Sequence, residues 1–402
     1  MKQLIITIAA LLLLPLTVTA QYEEDTENGV VSLNGKEGFT IATKKGDFVF
    51  KPYMLVQTSA NINYYDDEGL DPAYNQDNIH NSGFSIPYAI LGFTGKAFDR
   101  VTFNLTIKAA GSGGNILQQA WFDVEMKKSF AIRVGKFKTP FSHAYLTTLG
   151  ETLMPTLPTS LTSSVILPYS LNAVTPNIGF DLGVEVHGLV KEKFGYEVGI
   201  FNGTGSSVNV ASKTFSDDWH IPSLLYAGRI TYMPKGVMPS NQGSPNRLKE
   251  DKMLFGLSTS LNVESESEST NDFRAGAEFA MLKNRLYLGA EIYYMNVGFT
   301  KRQKIDESYN YLGGYVQGGY FVTNKLQATA RYDFFNRNGL DTNGFLNMPA
   351  VGFNYFFTSC NLKLQAMYQF IGRTGHDTQL DRDNDDLGLA MHSGTVLLQY
   401  TF

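Results

Sequence analysis

Strict alternation of apolar and polar residues is the sequence feature that most constrains how this chain folds. Segment 100–108 alternates apolar and polar side chains at every position, and segments 178–187 and 325–334 alternate apolar with polar or small ones. Residues at i and i+2 share one face of an extended strand, but they lie on different faces of a helix. The chain is therefore predicted to be all-β, with strands that carry one apolar and one polar face.

The connections between the predicted strands alternate between short and long. Short polar turns are predicted near 98–100, 127–128, 191–193, 283–284, 323–324 and 358–361, and longer segments at 66–83, 138–176, 204–222, 301–308, 336–346 and 372–388. This rhythm is typical of a transmembrane up-and-down antiparallel β-barrel with short turns at one end and long loops at the other. It predicts about 16 strands, a number that leaves an aqueous channel, with 235–250 as one long connection among the short turns.

The N-terminal segment 1–20 has the pattern of a secretory signal peptide. Lys2 precedes an apolar run from Leu4 to Leu14, and small residues lead to a cleavage position after Ala20. The apolar run is too short for a membrane-spanning helix, which needs about 20 residues. We expect 21–38, which is acidic and has no clear period, to form a periplasmic tail, and 39–402 to form the barrel.

The composition agrees with a membrane barrel and excludes several other classes. Charged residues make up 18% of the chain, below the roughly 25% of typical soluble domains. The 28 Phe and 22 Tyr suit the aromatic girdles of a barrel. A net charge of −5 offers no basic surface for nucleic acid. Cys360 is the only cysteine, which excludes an intramolecular disulfide and a Cys-based zinc site.

The last strand carries the most specific pattern. The chain ends on an aromatic residue, and one face of its last strand holds Val396, Leu398, Tyr400 and Phe402. This resembles the insertion signal of bacterial outer-membrane barrels, so these residues are predicted to be recognised by the barrel assembly machinery. The predicted location is the bacterial outer membrane, with its lipid and lipopolysaccharide as partners. The alternative is the closing strand of a soluble β-sandwich.

Three segments carry a family resemblance. Phe48–Gln57, Phe84–Phe93 and the motif GKFKTPF at Gly135–Phe141 resemble the phosphate-selective porin O and P family, best over 39–234. The resemblance implies a sixteen-stranded, homotrimeric outer-membrane channel, with a pore lined by arginines and lysines that pass anions inward. It also implies that GKFKTPF leads into the loop that narrows the pore, here 138–176.

The sequence departs from the family where anions would bind. The paired arginines that family members often carry near the start of the second strand are absent from 84–90. Loop 138–176 holds thirteen Ser or Thr and five Pro, but its only acidic or basic side chains are Lys138, His143 and Glu151. Together with Lys136, these are the predicted constriction residues. Hydroxyls both donate and accept hydrogen bonds, so such a loop suits uncharged polar solutes at least as well as phosphate.

Strand parity predicts which charged side chains face the lumen. The predicted pore-lining residues are Lys51, Lys108, Asp123, Glu125, Arg133, Asp181, Glu185, Arg229, Arg274, Arg331 and Lys363. The same parity adds Glu197, Glu278, Glu291 and Asp333. Opposite charges nearly cancel, which predicts weak ion selectivity. The alternative is that these side chains pair across strands and stabilise the wall, each pair by about 0.2–1 kcal/mol.

Catalytic and metal-binding patterns are weak. No histidine belongs to a GxSxG or HExxH motif, so no enzyme activity and no cofactor are expected. Asp381, Asp383 and Asp385 partly match the start of a calcium loop, but Asp386 replaces the required glycine. A solvated acidic loop is the favoured interpretation of that segment.

Three functions remain open at the level of sequence. The favoured one is a water-filled channel for passive diffusion of small hydrophilic solutes, with anions or phosphate among the candidates. The second is a barrel that loop 138–176 plugs, acting as a structural or scaffold subunit of an outer-membrane complex. The third is a soluble β-sandwich. Active transport would need a plug domain much larger than 21–38.

Overall fold

The computed structural model describes residues 22–26, 29–34, 38–66, 80–98, 100–110, 116–162, 179–203, 224–263, 272–298, 308–336, 345–374 and 390–402. The strands are β1 (Tyr22–Thr26), β2 (Gly29–Asn34), β3 (Gly38–Thr43), β4 (Phe48–Asp66), β5 (His80–Ala97), β6 (Val101–Lys108), β7 (Leu117–Lys127), β8 (Phe130–Lys138), β9 (Phe180–Val190), β10 (Phe194–Phe201), β11 (Leu225–Tyr232), β12 (Asp251–Asn262), β13 (Asp272–Lys283), β14 (Leu286–Gly298), β15 (Ser308–Phe321), β16 (Leu326–Asn336), β17 (Phe345–Thr358), β18 (Leu362–Thr374) and β19 (Ala390–Thr401). Two short helices, α1 (His143–Leu146) and α2 (Thr159–Thr162), lie between β8 and β9.

Strands β4–β19 form a closed antiparallel barrel. Each strand pairs with the next along the chain, and β19 returns to pair with β4 from Ala390↔Asp66 to Thr401↔Leu55. The terminal Phe402 completes the closure, because its N–H donates to the Met54 carbonyl and its carbonyl accepts from the Met54 N–H, both at 3.2 Å. The predictions of an all-β barrel and of about 16 strands are confirmed: the described residues contain sixteen barrel strands.

The connections follow the predicted alternation of short and long. Every predicted short turn joins two paired strands, and most predicted long segments lie largely outside the described residues. Several tight turns contain a non-glycine residue with positive φ, including Phe98 at 52° and Asn284 at 55°. The exception at the short-turn end is the connection 233–250, which contains a 3-10 turn at Pro245–Arg247.

The two faces of the barrel wall differ as the alternation predicts. Outward apolar side chains are exposed, whereas inward polar ones on the same strands are buried. In β19, Val396 and Tyr400 are 47% and 38% exposed, but Thr395 and Gln399 are 8% and 0% exposed. The residues of the predicted insertion signal thus lie on the outward face of the last strand, where bilayer lipid contacts a barrel.

Three short strands precede the barrel in a region where the sequence shows no clear period. β1, β2 and β3 pair in succession, and β3 meets the start of β4 through Ile41↔Phe50. β3 therefore pairs with a part of β4 that precedes the segment paired with β19. The predicted signal peptide 1–20 lies outside the described residues. Within the described residues, no helix is long and apolar enough to cross a membrane.

Arginine substitutions at two valines test the outward face. Val351, in the middle of β17, and Val322, at a short turn, are each 58% exposed. Val351→Arg places a charge in the hydrocarbon and is expected to lower the unfolding free energy by about 2–4 kcal/mol, against about 0–1 kcal/mol for Val322→Arg. Denaturant unfolding in lipid vesicles measures both. Equal losses in the two variants would contradict the assigned orientation.

Candidate functional site: the channel interior

Residues 139–162, here called the lumen loop, lie inside the barrel. The loop leaves the end of β8 within the GKFKTPF motif. Gly135 of this motif has φ +129° and approaches β7 so closely that a Cβ would lie 2.2 Å from the Ala120 carbonyl oxygen. Helix α1 follows, and the Ser142 hydroxyl accepts the N–H of Tyr145 at 3.1 Å as its N-cap. In its described part, the segment that follows β8 lies in the lumen, and 163–176 lies outside the described residues.

Two buried carboxylates of the wall bind the lumen loop. Glu291 of β14 accepts the N–H of Ala144 at 2.7 Å and the hydroxyl of Tyr315 at 2.8 Å. Asp333 of β16 accepts the N–H groups of Thr159 and Ser160, and also the Ser160 hydroxyl. Because these N–H groups begin α2, Asp333 satisfies donors that a helix terminus leaves open.

Cationic and amide side chains of the wall bind the loop's carbonyl oxygens. The donor–acceptor distances are 2.8 Å from Arg331 Nη1 to Thr156 O, 3.3 Å from Lys363 Nζ to Thr152 O, 2.8 Å from Asn354 Nδ2 to Leu153 O and 2.9 Å from Gln399 Nε2 to Gly150 O. The wall from β14 to β19 thus holds the loop along most of its described length.

Apolar packing completes this side of the lumen. Leu153 and Met154 are each 1% exposed and pack in a cluster with Leu254 and Tyr287. At the start of the lumen loop, Phe141 packs against Tyr293 and neighbouring residues. This side of the lumen is therefore largely filled with side chains, and smaller cavities of about 360 and 480 Å³ remain between the lumen loop and strands β4, β5 and β19.

The other side of the lumen contains a cavity of about 820 Å³, here called the passage, between the lumen loop and strands β7–β11. Arg133 pairs with Asp123 at 2.7 Å and with Glu185 at 3.4 Å. His187 Nε2 lies 2.8 Å from the same Asp123 carboxylate. The guanidinium of Arg133 also stacks 4.8 Å from the ring centre of Trp121.

A second charged group continues this wall. Arg229 pairs with Glu197 at 2.9 Å and with Glu278 at 2.8 Å. Glu125 also lines the passage. The predicted inward faces therefore bring together acidic and basic residues from β7 to β13, and both arginines are already bound by two carboxylates each.

Three of the four predicted constriction residues have side chains that are bound within the protein, whereas the fourth, His143, is buried and its Nε2 has no hydrogen-bond partner among the described residues. Lys136 Nζ donates to Leu117 O at 2.9 Å, and Lys138 Nζ donates to the carbonyls of Tyr145 at 2.6 Å and Thr147 at 2.9 Å. Glu151 accepts a hydrogen bond from Ser240 at 3.0 Å. Burial and the nearby Arg229 charge lower the pKa of His143 to about 3, so this imidazole is neutral at neutral pH.

The remaining predicted pore-lining residues are spread over the barrel. Asp181 is buried and accepts the N–H of Gly203 at 2.6 Å. Lys108 lies over the Tyr88 ring at 4.8 Å, Arg274 is 2% exposed, and Lys51 shares the inward parity of the buried Gln57. None of these four lines the passage.

Sequence reasoning missed the buried amides of the lumen. Gln242, Gln317, Gln365 and Gln399 are at most 5% exposed, and each forms hydrogen bonds inside the barrel. Gln317, Gln365 and Gln399 occupy inward positions of barrel strands, so strand parity could have identified these three residues. No metal-ligand cluster occurs among the described residues, and Asp381, Asp383 and Asp385 lie outside them.

Comparison with known proteins now identifies the family. The sequence profile described as phosphate-selective porin O and P matches residues 56–402. The chain belongs to this family. The match extends past residue 234, where the recognisable motifs end, to the C-terminus. The porin is therefore a bacterial outer-membrane β-barrel from a family of channels, as expected, and not an enzyme or a soluble sandwich.

Individual relatives are distant. An uncharacterized protein of Aquifex aeolicus (strain VF5) is 24% identical over 281 residues, or 65% of this chain, and the match spans 64% of that relative's length. The anion-selective porin from Comamonas acidovorans has a TM-score of 0.60 at 11% identity, covering 88% of this chain and 100% of its own. The outer-membrane channel DcaP of Acinetobacter baumannii has a TM-score of 0.56 at 12% identity, covering 90% and 99%. These structural matches establish the fold alone.

Removal of one loop-binding carboxylate tests the anchoring of the lumen loop. Asp333→Ala leaves the N–H groups of Thr159 and Ser160 without this acceptor, which is expected to destabilise the protein by about 1–3 kcal/mol. Asp251→Ala is the control, since Asp251 forms an exposed pair with Lys235 at 2.6 Å, and such pairs contribute about 0–1 kcal/mol. Thermal unfolding compares the two, and equal stability would show that Asp333 does not anchor the loop.

Proposed function

We propose that this porin is a passive diffusion channel for small hydrophilic solutes. The observation that carries the proposal is the passage of about 820 Å³, which lies beside a lumen loop bound to the opposite wall. Its lining mixes charged, amide and aromatic side chains, including Arg133, Gln119 and Tyr196. Such a lining suits polar solutes of either charge.

The cations beside the passage are already bound within the protein, which argues against a dedicated phosphate site. An anion site needs several cationic donors that converge on one point. Arg133 and Arg229 are each paired with two carboxylates, and Lys138 is bound to two loop carbonyls. Phosphate would have to displace these partners, so we propose weak ion selectivity in place of the anion preference that the family name implies.

The presence of both charge signs along the passage supports weak selectivity. Among the described residues, it is lined by the carboxylates Glu125, Glu185, Glu192 and Glu197 and by the cations Lys128, Arg133, Lys138 and Arg229. Asp123 and Glu278 bind the two arginines and add negative charge. Opposite charges across an aqueous pore orient dipolar solutes, whereas a series of one sign selects ions.

The second candidate is the plugged scaffold. The tight packing of Leu153 and Met154 against the wall favours it, because a loop held on one side leaves less of the lumen open. The passage between the loop and β7–β11 argues for the channel. Conductance separates these two functions directly.

We further propose that the porin is a homotrimer, as the family resemblance implies. Exposed apolar residues on the outer surface of β5 and β19, the two strands that flank β4, support this. Phe84 and Ile86 on β5 are 93% and 56% exposed, next to Val396 on β19. Cross-linking in intact outer membranes is expected to yield a trimer, and monomers alone would contradict it. Lipopolysaccharide and the barrel assembly machinery are further proposed partners.

Planar-bilayer recording of the purified protein tests the channel proposal. Under a potassium chloride gradient, the reversal potential is expected to indicate nearly equal permeation of cations and anions. Added phosphate is expected to leave the conductance unchanged, since the cations that line the passage already have partners. A several-fold anion preference with block by phosphate would overturn weak selectivity. The absence of any conductance would instead favour the plugged scaffold.

A further inference from the structure

The connection between β11 and β12 enters the barrel from the short-turn end. Its central residues 238–244, here called the insert, are largely buried: Met238 is 7% exposed, Asn241 6% and Gln242 2%. Adjacent antiparallel strands need only a two- to five-residue connection. The length of this connection is therefore not explained by joining β11 to β12.

Gln242 joins the insert to the lumen loop. Its backbone N–H donates to Glu151 O at 3.0 Å, and its side-chain Oε1 accepts the N–H of Leu153 at 3.0 Å. Its Nε2 donates to the Thr147 hydroxyl at 3.3 Å. Oε1 also accepts from Gln317 Nε2 of β15 at 3.1 Å. One amide side chain thus links the insert, the loop and the barrel wall.

Other residues of the insert fix its position. The Ser240 hydroxyl donates to Glu151 Oε2 at 3.0 Å, and Met238 belongs to the apolar cluster that contains Leu153. Gly243 has φ +125°, and a Cβ at this position would lie 2.5 Å from Gln327 Nε2. Only glycine adopts this conformation and fits this space without displacing a neighbour.

We propose that the insert is a second constriction element, which holds the lumen loop from the periplasmic side and, with it, sets the size limit of the passage. Met238 and Ser240 line the passage directly, so the insert faces the solute path while it binds the loop. Gln242 is the positioning residue of this element. The inference rests on the proposed channel function and assigns the residues that fix its diameter.

Gln242→Ala removes the side-chain link and leaves the backbone in place. Because the loop loses two hydrogen bonds, its departures from the bound position are expected to become about tenfold more frequent. This corresponds to a loss of about 1.4 kcal/mol in the free energy that holds the loop in place. Single-channel recording detects them as current flicker. The mean conductance and the largest neutral polyethylene glycol that enters the channel are both expected to increase.

Gly243→Ala provides a second, independent variant, because it displaces the insert without removing a hydrogen-bonding group. Asn246→Ala is the matched control: Asn246 belongs to the same connection, but its side chain bonds Ser359 in an exposed turn at 2.8 Å. The control is expected to keep wild-type flicker, conductance and polymer size limit. Heat-modifiable gel migration and thermal unfolding confirm that each variant is folded.

The possible outcomes separate this inference from the channel proposal. If folded Gln242→Ala and Gly243→Ala both keep the wild-type flicker, conductance and size limit, the insert is not a constriction element, although the channel remains. If Gln242→Ala does not fold, Gly243→Ala alone decides by the same readouts. A wild-type protein without conductance would overturn the channel and the constriction element together.

Discussion

Closure of the sheet between β19 and β4 is the interaction on which the rest of the structure depends. In a bilayer, an unpaired backbone group has no water to bond, so a sheet can span the membrane only if it has no edges. The reciprocal hydrogen bonds between Phe402 and Met54 bring this closure to the last residue of the chain. A closed barrel of sixteen strands is wide enough for an aqueous channel. The lumen loop and the insert narrow that interior.

Wall chemistry divides the interior into two sides. From β14 to β19, Glu291, Asp333 and Arg331 are used to hold the lumen loop. From β7 to β13, Arg133 and Arg229 are paired with carboxylates of neighbouring strands. A charge that satisfies a loop amide or a neighbouring carboxylate is not free to bind a solute. Loop anchoring and wall stability therefore leave few charged groups to select ions.

Local pattern predicted the strands, the turns and the inward faces, because alternation depends only on neighbouring residues. The inward positions of Arg133 and Glu185 follow from that parity. The partners of Arg133 lie directly opposite it on the neighbouring strands β7 and β9. The pairing of Arg229 with Glu278 does not follow from parity, since it joins strands β11 and β13 across an intervening strand. Nor could parity show that Arg331 binds the loop whereas Arg133 borders the passage. The insert had no period at all, and only the length of its connection distinguished it.

The buried amides explain how a loop can be anchored without fixing the selectivity of the pore. An amide side chain both donates and accepts, so it can bond a loop carbonyl and a second amide together. Gln365 donates to Leu153 O at 3.3 Å and to Asn354 Oδ1 at 2.9 Å, and Asn354 donates to Gln327 Oε1 at 2.9 Å. A lysine in place of each amide would hold the same carbonyls but add positive charge to the lumen. Because amides carry much of the anchoring, the ion preference depends on the few charges beside the passage.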